Sequence, residues 1–188
     1  MRFLTDFADQ AVVLPLIAVV ALMLGLLGWP RGAVAWLIAV GACFGAVLVL
    51  KLVFVSCGPA LHLGMLRSPS GHAAAAAVIA GGIVVALGWG PRDVALVAGL
   101  GAVLIGATRV ALGWHTIAEV VIGGVLGVLG AVAFAWLAGP PPTLRVRWLF
   151  AAIVAVALLL HGRHLDAETR IRAAAFSLPF CHADDLPR

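Results

Sequence analysis

The chain has 188 residues, 64% of them hydrophobic and only 11% charged, with a mean hydropathy of +1.16. A soluble domain is about half apolar and about a quarter charged, so this composition excludes an ordinary globular domain and indicates an integral membrane protein. Twelve Lys and Arg against eight Asp and Glu make too small and too dispersed an excess for a nucleic-acid surface; in a membrane protein such residues set topology.

The opening MRFLTDFADQ carries two acids close to the apolar run and makes no convincing basic region or small-residue cleavage site of a secretory signal, so the first apolar run is expected to stay. Apolar segments at 11–29, 33–56, 72–89, 93–112, 116–138 and 147–161 predict an all-α, polytopic bundle of about six transmembrane helices. The last is the shortest. One transmembrane domain over residues 1–161 and a polar tail over 162–188 are expected. Turns at Gly28-Trp29-Pro30-Arg31-Gly32, Gly90-Pro91-Arg92-Asp93 and Gly139-Pro140-Pro141-Pro142 punctuate the runs. Gly123, Gly127 and the run Ala73 to Ala77 suit close helix packing in lipid. Trp36, Trp89, Trp114, Trp136 and Trp148 lie near span ends, where tryptophan anchors helices at the interface. Cys43 falls in an apolar run and reads as core. Cys57 and Cys181 fall outside the spans and can pair if both face an oxidising compartment. The cysteines have no zinc-ligand spacing.

Six spans put the N-terminus, the 56–71 loop, the 112–115 turn and the tail on one side. The opposite turns hold Arg31, Arg92, Arg145 and Arg147, and short Arg-rich loops stay in the cytoplasm. The first side then faces outward, although the tail brings Arg163, Arg170 and Arg172 there.

Three polar islands interrupt the apolar sequence: Lys51 with Pro59 beyond it, Arg67-Ser68-Pro69-Ser70-Gly71-His72, and Thr108-Arg109 with His115 and Glu119. Ionisable groups at membrane helices are costly and usually mark a site. Each island also has a structural reading. Pro69 and Ser70 could simply start a helix, His115 and Glu119 could tie helices together, and Lys51 could reach the interface. Taken chemically, a helix N-terminus at Ser70-Gly71-His72 suits a phosphate, and His72 could protonate a leaving oxygen. His115 and Glu119, four apart, would share a helical face. The carboxylate would then fix the imidazole tautomer, as a nucleophilic histidine needs. Arg109 adds a strong oxyanion binder, and Gly113 permits a turn between it and His115. Together the islands gather Lys51, Arg67, Arg109, His72 and His115 around one carboxylate, which calls for an anion.

These residues resemble the type 2 phosphatidic acid phosphatase family of membrane lipid phosphatases. That family's pattern is Lys, six residues, Arg-Pro; then Pro-Ser-Gly-His; then Ser-Arg, five residues, His, three residues, Asp. Here stand Lys51…Gly58-Pro59, Pro69-Ser70-Gly71-His72 and Thr108-Arg109…His115…Glu119. The resemblance implies His115 as the nucleophile that forms a phosphohistidine, Glu119 orienting it, and His72 as general acid. Lys51, Ser70, Gly71 and Arg109 would hold the phosphoryl oxygens. It implies no cofactor and no metal, and the islands lack an acidic cluster for Mg²⁺. The expected partners are the bilayer and a lipid phosphate: undecaprenyl diphosphate, phosphatidate, phosphatidylglycerol phosphate or a lipid A phosphate. A bacterial inner membrane with the site facing the periplasm or exterior is the setting of the small members of the family. Gly58 stands where the family has Arg, and Arg67 is the candidate replacement. Thr108 for Ser keeps a hydroxyl, and Glu119 for Asp adds a methylene. Two other readings fit some of these residues: a haem-binding electron-transfer protein with His72 and His115 as axial ligands, and a lipid-binding protein whose site has decayed.

Overall fold

The computed structural model describes residues 6–57 and 68–163, together with positions 165, 169, 171, 173 and 174 of the tail. Among the described residues there are six α-helices and no strand: α1 Gln10–Leu26, α2 Pro30–Cys57, α3 Gly71–Ala86, α4 Pro91–Ala111, α5 Ile117–Ala138 and α6 Val146–Leu160. Each coincides with an expected apolar segment to within a few residues at either end. Helices α2, α4 and α5 are long and apolar enough to cross a membrane. Helices α1, α3 and α6 are shorter, with 17, 16 and 15 residues, or about 22–26 Å at 1.5 Å per residue.

The shortfall of α3 has a local cause. Ser68, Pro69 and Ser70 precede it as buried, non-helical backbone. Irregular backbone at such depth requires protein partners for its N–H groups. Ser68 N–H reaches the Glu119 carboxylate at 2.9 Å and Ser70 N–H reaches the Glu119 carbonyl at 3.0 Å, both from α5.

Helix α3 is the hub, packed most extensively on α4 and α5; α2 lies against α5, and α1 joins α2 and α6. Small residues make the approach possible, as the sequence suggests. A Cβ on Gly127 would collide with the Ala74 carbonyl and the Ala77 side chain, and one on Gly81 with Ala131. Chain crossings of this kind in lipid rest on dispersion contacts, which fall off steeply with separation.

Trp36 departs from the expected interfacial role. It is buried, donates its indole N–H to the Ile17 carbonyl at 3.1 Å, and meets Phe134 edge-on at 5.3 Å. Its apolar area and satisfied N–H suit a core position between α1, α2 and α5. Trp89, Trp114, Trp136 and Trp148 are exposed. Cys43 is buried, with its thiol directed at the Leu126 carbonyl, as its apolar setting suggests.

Gly127→Ala is expected to destabilise the bundle by about 1–3 kcal/mol through overpacking. Gly45, whose Cβ would meet nothing within 4 Å, is the control. Gly45→Ala should hold or slightly raise stability, by up to about 1 kcal/mol of helix propensity. Thermal unfolding in detergent, followed by size-exclusion of the surviving fraction, distinguishes the two.

Candidate active site

Glu119 is 3% exposed, and its carboxylate ties together two stretches of chain, the segment before α3 and the connection from α4 to α5. Oε1 accepts from Ser68 N–H at 2.9 Å. Oε2 accepts from Thr116 N–H at 2.9 Å and lies 3.0 Å from His115 Nδ1. In return, the Thr116 hydroxyl accepts from Glu119 N–H at 3.3 Å, so Thr116 and Glu119 form a capping box at the start of α5. The His115–Glu119 pairing expected from the sequence is present, but its geometry differs. His115 precedes the helix cap instead of sharing a helical face. The carboxylate reaches it by curling back over the cap, as a glutamate at the third helical position does.

At the start of α3, the fully buried Ser70 caps the helix, its hydroxyl accepting from Ala73 N–H at 3.4 Å. The first N–H groups of a helix have no intrahelical acceptor. Those of Gly71 and His72 therefore face the open end of α3, with the positive end of its dipole behind them. Gly123 of α5 sits directly beneath Ser70, where a Cβ would collide with the Ser70 carbonyl. Lys51 of α2 is 4% exposed; it is buried in the protein, which sets aside an interfacial role. Its Cε lies 4.0 Å from where a Cβ of Gly71 would be.

Arg109 occupies the last turn of α4. The helix ends in a Schellman motif: Gly113 N–H returns to the Val110 carbonyl at 2.9 Å and Trp114 N–H to the Arg109 carbonyl at 3.0 Å. Gly113 supplies the left-handed φ of 69° that the motif requires. The contact that usually accompanies it is here a cation–π pair, with the Arg109 guanidinium 4.3 Å from the Trp114 ring. The same turn that places Arg109 therefore delivers His115 one residue later.

His72 lies within electrostatic reach of Arg109, His115 and Lys51, and His115 within reach of Lys51 and Arg109. The structure thus brings together Lys51, Ser70, Gly71, His72, Arg109, His115 and Glu119 from four different stretches of chain. Arg67, Gly58, Pro59, His62 and Cys181 lie outside the described residues. Thr108 is buried and spends its hydroxyl proton on the Ile105 carbonyl at 2.7 Å; this stabilises α4 rather than reaching the cluster. Sequence reasoning missed Thr116, although Thr-x-x-Glu is a capping-box signature. It also missed Asp9, which caps α1 through Ala11 N–H at 2.8 Å, accepts from Leu165 N–H at 3.2 Å, and is near enough for its charge to act on His72. No local pattern marks that proximity.

Burial pushes the His115 imidazole below its usual 6.5, with Lys51 and Arg109 acting in the same direction; the hydrogen bond and charge of Glu119 oppose them. The neutral ring is therefore favoured near pH 7. The Nδ1 proton then points to Glu119, and the Nε2 lone pair is left for chemistry. In an NMR titration of His115 in detergent, the midpoint should lie below 6.5. Glu119→Gln removes the charge that raises it, so the midpoint should fall further; a rise would contradict this electrostatic account.

The model of the PAP2 superfamily matches residues 53–141. Neither a curated protein nor a solved structure matches the chain. The matched stretch contains Ser70, Gly71, His72, Arg109, His115 and Glu119, with Lys51 just before it. The stretch that carries every residue of the cluster except Lys51 is thus similar to the PAP2 superfamily.

Proposed function

We propose that this chain is a metal-independent membrane lipid phosphatase that cleaves a lipid phosphomonoester or diphosphate through a phosphohistidine on His115. The observation that carries the reading is the Glu119 carboxylate, 3.0 Å from His115 Nδ1 and fixed by two backbone N–H groups. A histidine so held keeps Nε2 unprotonated and aimed, as nucleophilic catalysis requires.

In the reaction, His115 Nε2 attacks phosphorus, the P–N bond forms, and the P–O bond to the lipid breaks. His72 gives its proton to the leaving oxygen. Water then attacks the phosphohistidine and passes a proton to His72. Inorganic phosphate leaves, and both histidines return to their starting state. Lys51, Arg109 and the N–H groups of Gly71 and His72 hold the phosphoryl oxygens as charge builds on them. The Ser70 hydroxyl, which caps with its oxygen, still has a proton to donate. In this reading Arg67 supplies the positive charge that the family pattern has at the position of Gly58.

The orientation proposed is outward. Arg31, Arg92, Arg145 and Arg147 gather at the opposite end of the bundle, where Arg31 Nε donates to the Leu137 carbonyl at the end of α5 at 3.0 Å, and such residues favour the cytoplasm. Cys57, at the site end of α2, is disulfide-bonded, which fits an oxidising compartment.

Phosphate release from phosphatidate and polyprenyl diphosphate by purified protein, with EDTA present, tests the reading. His115→Ala should abolish turnover. His72→Ala should lower kcat by about 10²–10⁴-fold on alkyl phosphates, and by much less on an aryl phosphate, whose leaving group needs little protonation. Arg67→Ala should lower kcat/KM. Release that requires a divalent ion, or that survives His115→Ala, would defeat the mechanism.

A further inference from the structure

A groove of about 260 Å³ runs between α1, α3, α4 and α6 and is lined by apolar side chains. Its position relative to the cluster is informative. On α3 the lining residues Ala76, Ile79, Ala80 and Ile83 follow His72 at four-, seven-, eight- and eleven-residue spacing, so they occupy the helical face that His72 heads. On α4 the lining residue is Ile105, one turn from Arg109 on the same face. Two residues proposed to act on the phosphate therefore lie on the faces of α3 and α4 that line the groove, whose other wall is built by α1 and α6.

The groove has a defined depth. From His72 to Ile83 along α3 is roughly 16 Å at 1.5 Å per residue, about half of a hydrocarbon core of about 30 Å. Beyond that depth the space narrows to a gap of about 10 Å³ among Trp36, Leu149, Ile83 and their neighbours. Its floor is firm, because α3 and α4 approach so closely that a Cβ on Gly101 would lie 2.9 Å from the Ala76 carbonyl.

We propose that this groove seats one acyl chain of the phospholipid whose phosphate is held by the cluster, so that head group and chain are bound as one ligand from a single leaflet. This deepens the phosphatase reading and rests on it. An acyl chain suits a trough one leaflet deep that narrows at its inner end, whereas a long polyprenyl chain would have to leave it. The small side chains of Ala76, Ala80 and Ala157 set its width. Larger residues there would fill the space a chain needs.

The test uses full-length His115→Ala protein in nanodiscs, so that the probe is not consumed. Phosphatidate carrying a diazirine midway along one acyl chain is photolysed, and the labelled residues are mapped by mass spectrometry, with unlabelled lipids as competitors. Label is expected on Ile79, Ile83 or Ile153, displaced at least tenfold more effectively by dipalmitoyl phosphatidate than by dipalmitoylglycerol. Label confined to the furrow between α4 and α5, lined by Val103 and Val121, would overturn the proposal. So would groove label displaced equally by dipalmitoylglycerol, which indicates ordinary bilayer lipid, or displaced best by undecaprenyl phosphate. In the active protein, Ala157→Phe should raise KM for dipalmitoyl phosphatidate tenfold or more, and an unchanged KM would also overturn it. Absence of phosphate release from the unmutated protein would refute the phosphatase reading separately, because the labelling is read without turnover.

Discussion

Everything at the polar end of this bundle depends on one buried carboxylate. An ionised side chain removed from water is tolerated only when it is well paired and hydrogen-bonded. Glu119 meets that condition by accepting from Ser68 N–H, Thr116 N–H and His115. These partners belong to the segment before α3, the cap of α5 and the turn after α4. A single side chain thereby joins the segment before α3 to the connection between α4 and α5, and the cost of burying it becomes a constraint on where His115 stands. The added methylene of Glu over Asp is what allows this, because a capping box uses a longer side chain at the third helical position. The departure from the family pattern at residue 119 thus has a structural role.

That arrangement works only because backbones come unusually close. Ser70 rests on Gly123, and one turn further along α5 Gly127 receives the Ala74 carbonyl. The glycine row on α5 presses α3 into the position at which the Glu119 carbonyl can take Ser70 N–H. Packing and site are therefore one construction. The row that holds the helices together also sets the height at which α3 begins, and with it the N–H groups of Gly71 and His72. The Schellman turn at Gly113 does the same from the other side, fixing Arg109 and His115 relative to each other through a few backbone bonds.

The helices were legible in the sequence because apolar runs of this length have few alternatives, and the glycine and proline clusters mark their ends. The polar islands stood out because charge in such a composition is costly. The positions of Lys51, His72, Arg109 and His115 in one cluster followed from topology alone. Less legible was how the partners meet. Spacing suggested that His115 and Glu119 share a helical face, yet the pair closes across a helix cap, since a four-residue interval fits both arrangements. Trp36 resembled the other tryptophans in sequence, and only the presence of Phe134 and the Ile17 carbonyl beside it distinguishes a core residue from an anchor. The charge of Asp9 near His72 was invisible because the two residues lie far apart in the chain.

The central claim is that Glu119 holds His115 by Nδ1 and so leaves Nε2 to attack phosphorus. Base-quenched turnover of a ³²P-labelled lipid phosphate, followed by proteolysis at alkaline pH and mapping of the labelled histidine and ring position, tests it directly. The account predicts a base-stable, acid-labile phosphate on Nε2 of His115. Label on Nδ1, label on another residue, or steady turnover with no labelled histidine at any quench time would contradict it.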